Sequence, residues 1–419
     1  MGRLLCLLSC VLLTGTAWAD WSVLEPFQGT LSRGEFDSLL TNVYCPSAAL
    51  TGCLAYASNS VTIYSTPEKT NGLFTLRFGP QGSQFQLNEE TWRSIETARS
   101  GDRCRTALGA GQVPSKFSRH RIVLDPGHIG GEWARMEERW FVRGKGRPVQ
   151  EALLNLQVAR RLRDHLVAAG YDVVLTKDNF EPVTDKRPED FRAEAERAGP
   201  LPAFGSELER DAFCRDLLRK RMEQLFYRSA EITARAKFVN ELPRPDLTIC
   251  LHFNAVEWNE HNDLVEDNRL VVFVHGDYLP GEVVDDAQKL RLFYKLLSRS
   301  LAVELPVAES VANALAEATQ LPAAQYGAGS SAVRVGTNAY VYARNLAANR
   351  LIDSPVIFLE PYYMNNRIVY QRIQLGDYDG EQVVEGKSYR SIIREYADAV
   401  AVGLKTYFNN SGTGVPPVD

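Results

Sequence analysis

The chain has 419 residues, too many for one small core, so two domains or one domain with large insertions are expected. Apolar residues make up 45% and charged residues 24%, an ordinary globular mixture. The net charge of −5 gives no sign of nucleic acid as a partner, because such binders carry a basic excess.

Residues 1–19 read as a signal peptide. Arg3 gives a positive start, Leu4 to Leu13 a short apolar run, and Ala17-Trp18-Ala19 a small-x-small cleavage site. The run is too short to span a bilayer, so no transmembrane segment is expected and the protein is read as exported. A lipoprotein reading through Cys10 is weaker, because Leu7-Leu8-Ser9 is a poor lead-in. Cys45, Cys53, Cys104, Cys214 and Cys250 remain after cleavage; Cys45 with Cys53 is the easiest disulfide loop to close, and the odd count leaves a free thiol.

Residues 20–107 read as a separate small α/β module. A helical apolar stripe covers Gly34–Tyr44, strands are expected at Val61–Tyr64 and Leu73–Phe78, and Asn88 is a candidate cap for a helix through Ala98. Residues 108–119 read as a linker. From 120 the pattern changes to strand, helix, strand: Ile122-Val-Leu124, an amphipathic helix Ala152–Ala169 stopped by Gly170, then Tyr171–Thr176. This order implies a right-handed parallel unit. The charged, proline-rich stretch 179–230, with a helical run Glu207–Phe226, reads as an insertion. Further strands are expected at Leu247–Leu251, Leu270–Val274 and Val356–Leu359, and helices at Ser229–Asn240, Ala287–Ser300, Val307–Ala318 and Ser391–Phe408. The domain therefore runs over 120–408 as a twisted, mostly parallel sheet flanked by helices, with a disordered tail at 409–419.

Three expected strands end in a residue able to do metal chemistry: His128, His252 and Glu360. Glu151 opens the helix after the first strand. Parallel strands bring their carboxyl ends to one edge, so the four can converge across a hundred residues or more. Two imidazoles and one carboxylate with an open fourth position suit catalytic zinc, and a second, unligated carboxylate can serve as base. Each also has a bland reading: a turn histidine, a satisfied core histidine, a carboxylate at a helix start, a surface loop residue. Joint placement at strand exits makes four bland readings together much weaker.

Geometry ranks the competitors. His120 lies about 26 Å from His128 along an extended segment, and His165 about 21 Å from Glu151 along its helix. His275 ends a strand and is a lesser candidate, His261 reads as a loop residue, and Cys250 shares a strand face with His252 but reads as a buried free thiol. Glu132, Glu137 and Glu138 compete with Glu151 but lie in a charged loop, so Glu151 is preferred.

These segments resemble the zinc-dependent N-acetylmuramoyl-L-alanine amidases of bacterial cell-wall turnover. The matching stretches are Ile122-Val-Leu-Asp-Pro-Gly-His128 with Gly130-Gly131, Glu151-Ala-Leu-Leu-Asn-Leu156, Gly170-Tyr-Asp-Val-Val-Leu-Thr176, Arg235-Ala-Lys-Phe-Val-Asn240, Leu251-His-Phe-Asn254 and Pro355-Val-Ile-Phe-Leu-Glu360, then Asn365. The resemblance implies one zinc ion at His128, Glu151 and His252, Glu360 as the catalytic carboxylate, and peptidoglycan or muropeptides as substrate in the periplasm or cell envelope. Asn254 and Arg344 are candidates for substrate contact. A protein activator acting on the 179–230 insertion is a further expected partner, if a helix there covers the cleft. The chain departs from the family pattern at Ile129, at the long basic stretch Arg139–Arg147, and at Pro361-Tyr362 after the glutamate. Rival functions are a zinc peptidase or amidase on another exported amide, and an inactive wall-binding module.

Overall fold

The computed structural model describes residues 20–80, 120–197 and 207–410, apart from 244, 259, 262 and 328. The expected signal peptide, the Asn88 helix, the 108–119 linker and Cys104 lie outside these residues, as do residues 411–419. Asn409 and Asn410 complete the terminal helix Ile392–Asn410, so these two residues are helical where a disordered tail was expected.

Residues 20–80 open with a short 3-10 helix Trp21–Phe27 and a helix Arg33–Leu39, capped reciprocally by Ser32 and Glu35. An antiparallel sheet follows, made of β1 (Leu54–Tyr56), β2 (Ser60–Tyr64) and β3 (Gly72–Arg77). The apolar residues of this segment join the core of the main domain. Phe36 stacks on Phe293 with centroids 6.0 Å apart, and Phe27 meets Tyr294 edge-on at 6.0 Å. The backbone N–H groups of Asp277 and Tyr278 donate to the carbonyls of Val43 and Tyr44 at 2.7 and 2.8 Å. Cys45 and Cys53 are both buried, free thiols. The expected disulfide is absent; the Cys45 thiol instead faces the Tyr278 carbonyl at 3.8 Å.

The main domain is built on β4 (Arg121–Pro126), a two-residue hairpin β5 (Trp140–Phe141) and β6 (Val149–Gln150), β7 (Asp172–Leu175), β8 (Leu247–Leu251), β9 (Leu270–His275), β10 (Val333–Arg334), β11 (Val341–Arg344) and β12 (Val356–Pro361). A second hairpin, β13 (Glu381–Val384) with β14 (Lys387–Arg390), precedes the last helix. Seven strands form one sheet in the order β10-β11-β9-β12-β8-β4-β7. Pairing is parallel except at β10–β11 and β12–β9. The mostly parallel expectation therefore holds, with one reversal inside the sheet.

Both faces are covered, which explains why β4, β8 and β9 read as continuous apolar runs rather than alternating ones. Ile122, Leu124, Ile249, Leu251, Val272 and Leu359 share a core with the helices Glu151–Ala168, Leu301–Thr319 and Ile392–Asn410. Val123, Cys250, Phe273 and Phe358 share the opposite core with the helices Glu231–Glu241 and Ala347–Leu351.

The chain leaves β4, passes to β7 on one side, then crosses to β8 on the other. Such a switch opens a crevice beyond the carboxyl ends of the strands. Register fixes what lies there: Leu251 pairs with Pro126 on one side and Leu359 on the other, so the next residues, Gly127, His252 and Glu360, come out at one level.

The insertion forms a 3-10 turn Pro188–Phe191, a helix Arg192–Arg197 and a helix Glu207–Gln224 that continues through the wide turn Leu225–Ala230 into Glu231–Glu241. Its apolar residues Phe191, Phe226 and Tyr227 pack on Ile129, Trp133 and Met136, in the turn and short helix just after His128.

Candidate metal centre

The β4 exit is fixed by what surrounds it. A Cβ on Gly127 would lie 2.0 Å from Cε1 of His252, so only glycine lets the two strand ends approach this closely. Asn155, buried one helical turn after Glu151, donates through Nδ2 to the Gly127 carbonyl at 3.1 Å. Lys177 donates to the carbonyl of His128. His128 has φ +65, an uncommon conformation for a residue with a side chain, and one that these contacts hold in place.

Below the turn, Asp125 accepts from Thr176 Oγ1 at 2.6 Å and from Arg235 at 3.2 Å. Burial opposes its charge, but Arg235 and Thr176 hold its carboxyl below the usual range. Arg235 also faces Glu231 at 3.6 Å, and Glu231 accepts the N–H groups of Val183 and Thr184. This buried chain of charges fastens β4, the Glu231–Glu241 helix and the loop after β7 together.

His128, Glu151 and His252 each offer a ligand atom, and these lie within 4.8 Å of one another. Nε2 of His128 and Nδ1 of His252 approach the same oxygen, Oε1 of Glu151, at 3.2 and 3.0 Å. The rings stand at 84° with centroids 4.9 Å apart. The ring of His252 stacks on Phe358 at 4.2 Å. Glu151 is 2% exposed. It opens its helix, where the positive end of the dipole favours a carboxylate.

Burial lowers the His252 pKa to about 4, so its ring is neutral and keeps a lone pair. Burial also acts against charge on His128, but Glu151 and Glu137 outweigh it and raise that imidazole to about 9. Glu151 is pulled well below the usual carboxylate range by the two histidines, against the effect of burial.

Glu360 stands apart from this cluster. Its Oε2 accepts a hydrogen bond from Nδ2 of Asn254 at 3.1 Å. Backbone bonds from Asn254 N to Tyr362 O and from Met364 N to Asn254 O extend the β8–β12 pairing past the strand ends and keep the two side chains adjacent. Burial raises the Glu360 pKa to about 7, with Arg344 opposing the rise and the Glu151 charge adding to it. Arg344 lies over the Phe273 ring, 5.4 Å from its centroid. The carboxylate also raises the pKa of the Tyr326 phenol, after burial.

The remaining candidates lie elsewhere. His120 stacks on Phe408 at 4.6 Å, and His165 pairs with Asp398 at 2.8 Å. His275 is fully buried beside Tyr278, whose hydroxyl is 3.1 Å from Nε2; it does not line the crevice. Cys250 is a buried thiol raised by desolvation. Glu138 is exposed, whereas Glu137 binds Nδ1 of His128 at 2.9 Å. In the basic stretch, Arg143 pairs with Asp263 and Arg147 donates to Gln374, while Arg139 faces Glu151 at 3.5 Å.

The model of the family described as N-acetylmuramoyl-L-alanine amidase matches residues 122–389, well over half of the chain. The chain belongs to that family. The amidase accordingly hydrolyses the amide that joins N-acetylmuramic acid to L-alanine in peptidoglycan. No curated protein matches the amidase. Its fold is similar to several solved structures at low identity. The amidase CwlD from Clostridioides difficile, solved in complex with the GerS lipoprotein, is 13% identical with a TM-score of 0.39, over 70% of this chain and 100% of that one. Ami1 from Mycobacterium smegmatis is 17% identical with a TM-score of 0.36, over 70% and 97%. The catalytic domain of CwlV from Bacillus (Paenibacillus) polymyxa var. colistinus is 14% identical with a TM-score of 0.34, over 69% and 98%. Among the described residues, no helix of the amidase is long and apolar enough to cross a membrane.

Proposed function

We propose that His128, Glu151 and His252 hold one zinc ion and that Glu360 is the proton-transferring carboxylate of the amidase. The reading rests on one observation: two imidazole nitrogens converge on a single carboxylate oxygen at a strand-end crevice, within electrostatic reach of a second carboxylate, Glu360. The donor set fits zinc, which takes nitrogen and oxygen ligands and keeps an open position in catalytic sites. When bound, the ion supplies Lewis acidity toward a water molecule and the scissile carbonyl.

The chain's own residues do the rest. Glu360, ionised, takes a proton from the attacking water and then gives it to the leaving amine of L-alanine. A group that must both accept and return a proton works best near its operating pH, and burial brings Glu360 to about that range. Asn254 holds one carboxylate oxygen and leaves the other for water. Arg344 opposes the rise of the Glu360 pKa, and its positive charge would stabilise the anion that develops on the carbonyl or a substrate carboxylate. The peptidoglycan substrate and the character of residues 1–19 support an exported protein of the periplasm or cell envelope.

The test is mass analysis of products from purified muropeptides, with and without a zinc chelator. A free lactyl-muramic sugar with an intact stem peptide, lost on chelation and restored by zinc, is the expected result. Cleavage within the stem peptide, or chelator-insensitive turnover, overturns the reading.

A further inference from the structure

An imidazole that binds a metal through one nitrogen is steered by whatever its other nitrogen touches. Nε2 of His128 points to the shared oxygen of Glu151. Nδ1 lies 2.9 Å from Oε2 of Glu137, and the same oxygen accepts the backbone N–H of Ile129 at 3.1 Å. Glu137 is 6% exposed. We propose that Glu137 is the positioning residue of the metal centre: it accepts Nδ1–H of His128, fixes the tautomer, and aims the Nε2 lone pair at the ion. This rests on the metal-centre reading given above.

The local structure supports a dedicated role. His128 sits at φ +65, outside any ladder, so nothing regular restrains its side chain. By taking both the ring N–H and the next backbone N–H, one carboxylate oxygen locks the side chain to the turn that carries it. Glu137 is itself held by the short helix Trp133–Met136, whose Trp133 packs on Phe226 of the insertion at 5.3 Å. Two residues further on, Arg139 faces Glu151 at 3.5 Å, and its carbonyl accepts the Glu151 N–H at 3.2 Å. A single turn of chain thus holds two of the proposed ligands through charges of opposite sign: a carboxylate for the imidazole and a guanidinium for the carboxylate.

If the contact were only a buried ion pair, its loss would lower stability but leave the ion's affinity and the ring's tautomer unchanged. The experiment therefore uses the full chain with Glu137→Gln and Glu137→Ala, and Glu138→Gln as the exposed neighbour. Zinc affinity is read by competition with a chromogenic chelator, and the His128 ring by long-range proton–nitrogen correlation of the zinc-loaded wild type. The expected result is a zinc affinity about 10- to 100-fold weaker in both Glu137 variants, unchanged in Glu138→Gln, with Nδ1 of His128 protonated in the wild type. Folded Glu137 variants with wild-type zinc affinity overturn the proposal. So does an unprotonated Nδ1 in the zinc-loaded wild type, a measurement that needs no variant to fold. Wild type that binds no zinc removes the metal-centre reading, and this proposal with it; wild type that binds while the variants match it removes the Glu137 assignment alone.

Discussion

Asn254 and Glu360 are joined by a single hydrogen bond of 3.1 Å, and among the described residues it is the only hydrogen bond made by the Glu360 side chain. That bond ties down one carboxylate oxygen, and the Glu360 carboxylate feels the charges of Glu151 and His128. Positions 254 and 360 lie far apart in sequence, yet the parallel β8–β12 pairing, prolonged beyond the strand ends, makes them neighbours.

Glu360→Gln keeps the shape and the Asn254 contact but cannot take a proton. We expect a loss of about 10²- to 10⁴-fold in kcat with zinc content retained. Steady-state kinetics with metal analysis of the same preparation checks this; undiminished turnover rules out Glu360 as base. His252→Ala, by contrast, is expected to lose both zinc and turnover.

Asn254→Ala leaves the half-buried Glu360 without its hydrogen-bond donor. The expected outcome is a lower kcat, smaller in size than for Glu360→Gln, with KM little changed. A rise in KM with kcat intact would instead make Asn254 a substrate contact.

In the proposed mechanism activity requires ionised Glu360, so kcat/KM should rise with pH through the pKa of that group. Burial places it near 7 before any cation is bound, and a dication nearby moves it down, so the rising limb is expected at or below about pH 7. Arg344 is the first charge opposing the rise. Arg344→Met should shift the limb to higher pH, whereas a limb that stays in place would separate Arg344 from the base.

Gly127→Ala drives a methyl group into the His252 ring. We expect a folded protein with strongly reduced zinc affinity, measured by chelator competition, because the ring must leave the shared point near Glu151.

The Asp125–Arg235 pair gives a stability prediction. Asp125 has a folded value below its ordinary 3.8, so its contribution is present above that pH and is lost as pH falls through the lowered value. Arg235→Met strands the buried carboxylate and should cost about 3–5 kcal/mol at neutral pH. The deficit should shrink toward about pH 4, where the unpaired acid takes up a proton; urea unfolding at both pH values measures it.

The sheet was legible because buried parallel strands announce themselves as short apolar runs, and the convergence of His128, Glu151 and His252 was legible because two of those runs end in a histidine and a helix opens on the glutamate. β8 was expected at its observed bounds, Leu247–Leu251. Less visible was anything defined by tertiary pairing alone. β11 is four residues in a stretch with little alternation, and only its pairing with β9 makes it a strand. Glu137 was one of three acids in a charged loop; what separates it from Glu138 is a short helix that buries one and leaves the other in water. Cys45 and Cys53 suggested a loop closure by spacing, but spacing carries no information on where each thiol points.

The joining of Phe27 and Phe36 to Tyr294 and Phe293 has a consequence for how the chain is handled. Residues 20–80 are not a detachable head. A version begun at residue 120 would bare an aromatic patch and strip the edge partners from Asp277 and Tyr278, so the intact chain is expected to melt in one transition and the shortened one to aggregate. Swapping this segment between relatives would change the enzyme's foundation rather than its address.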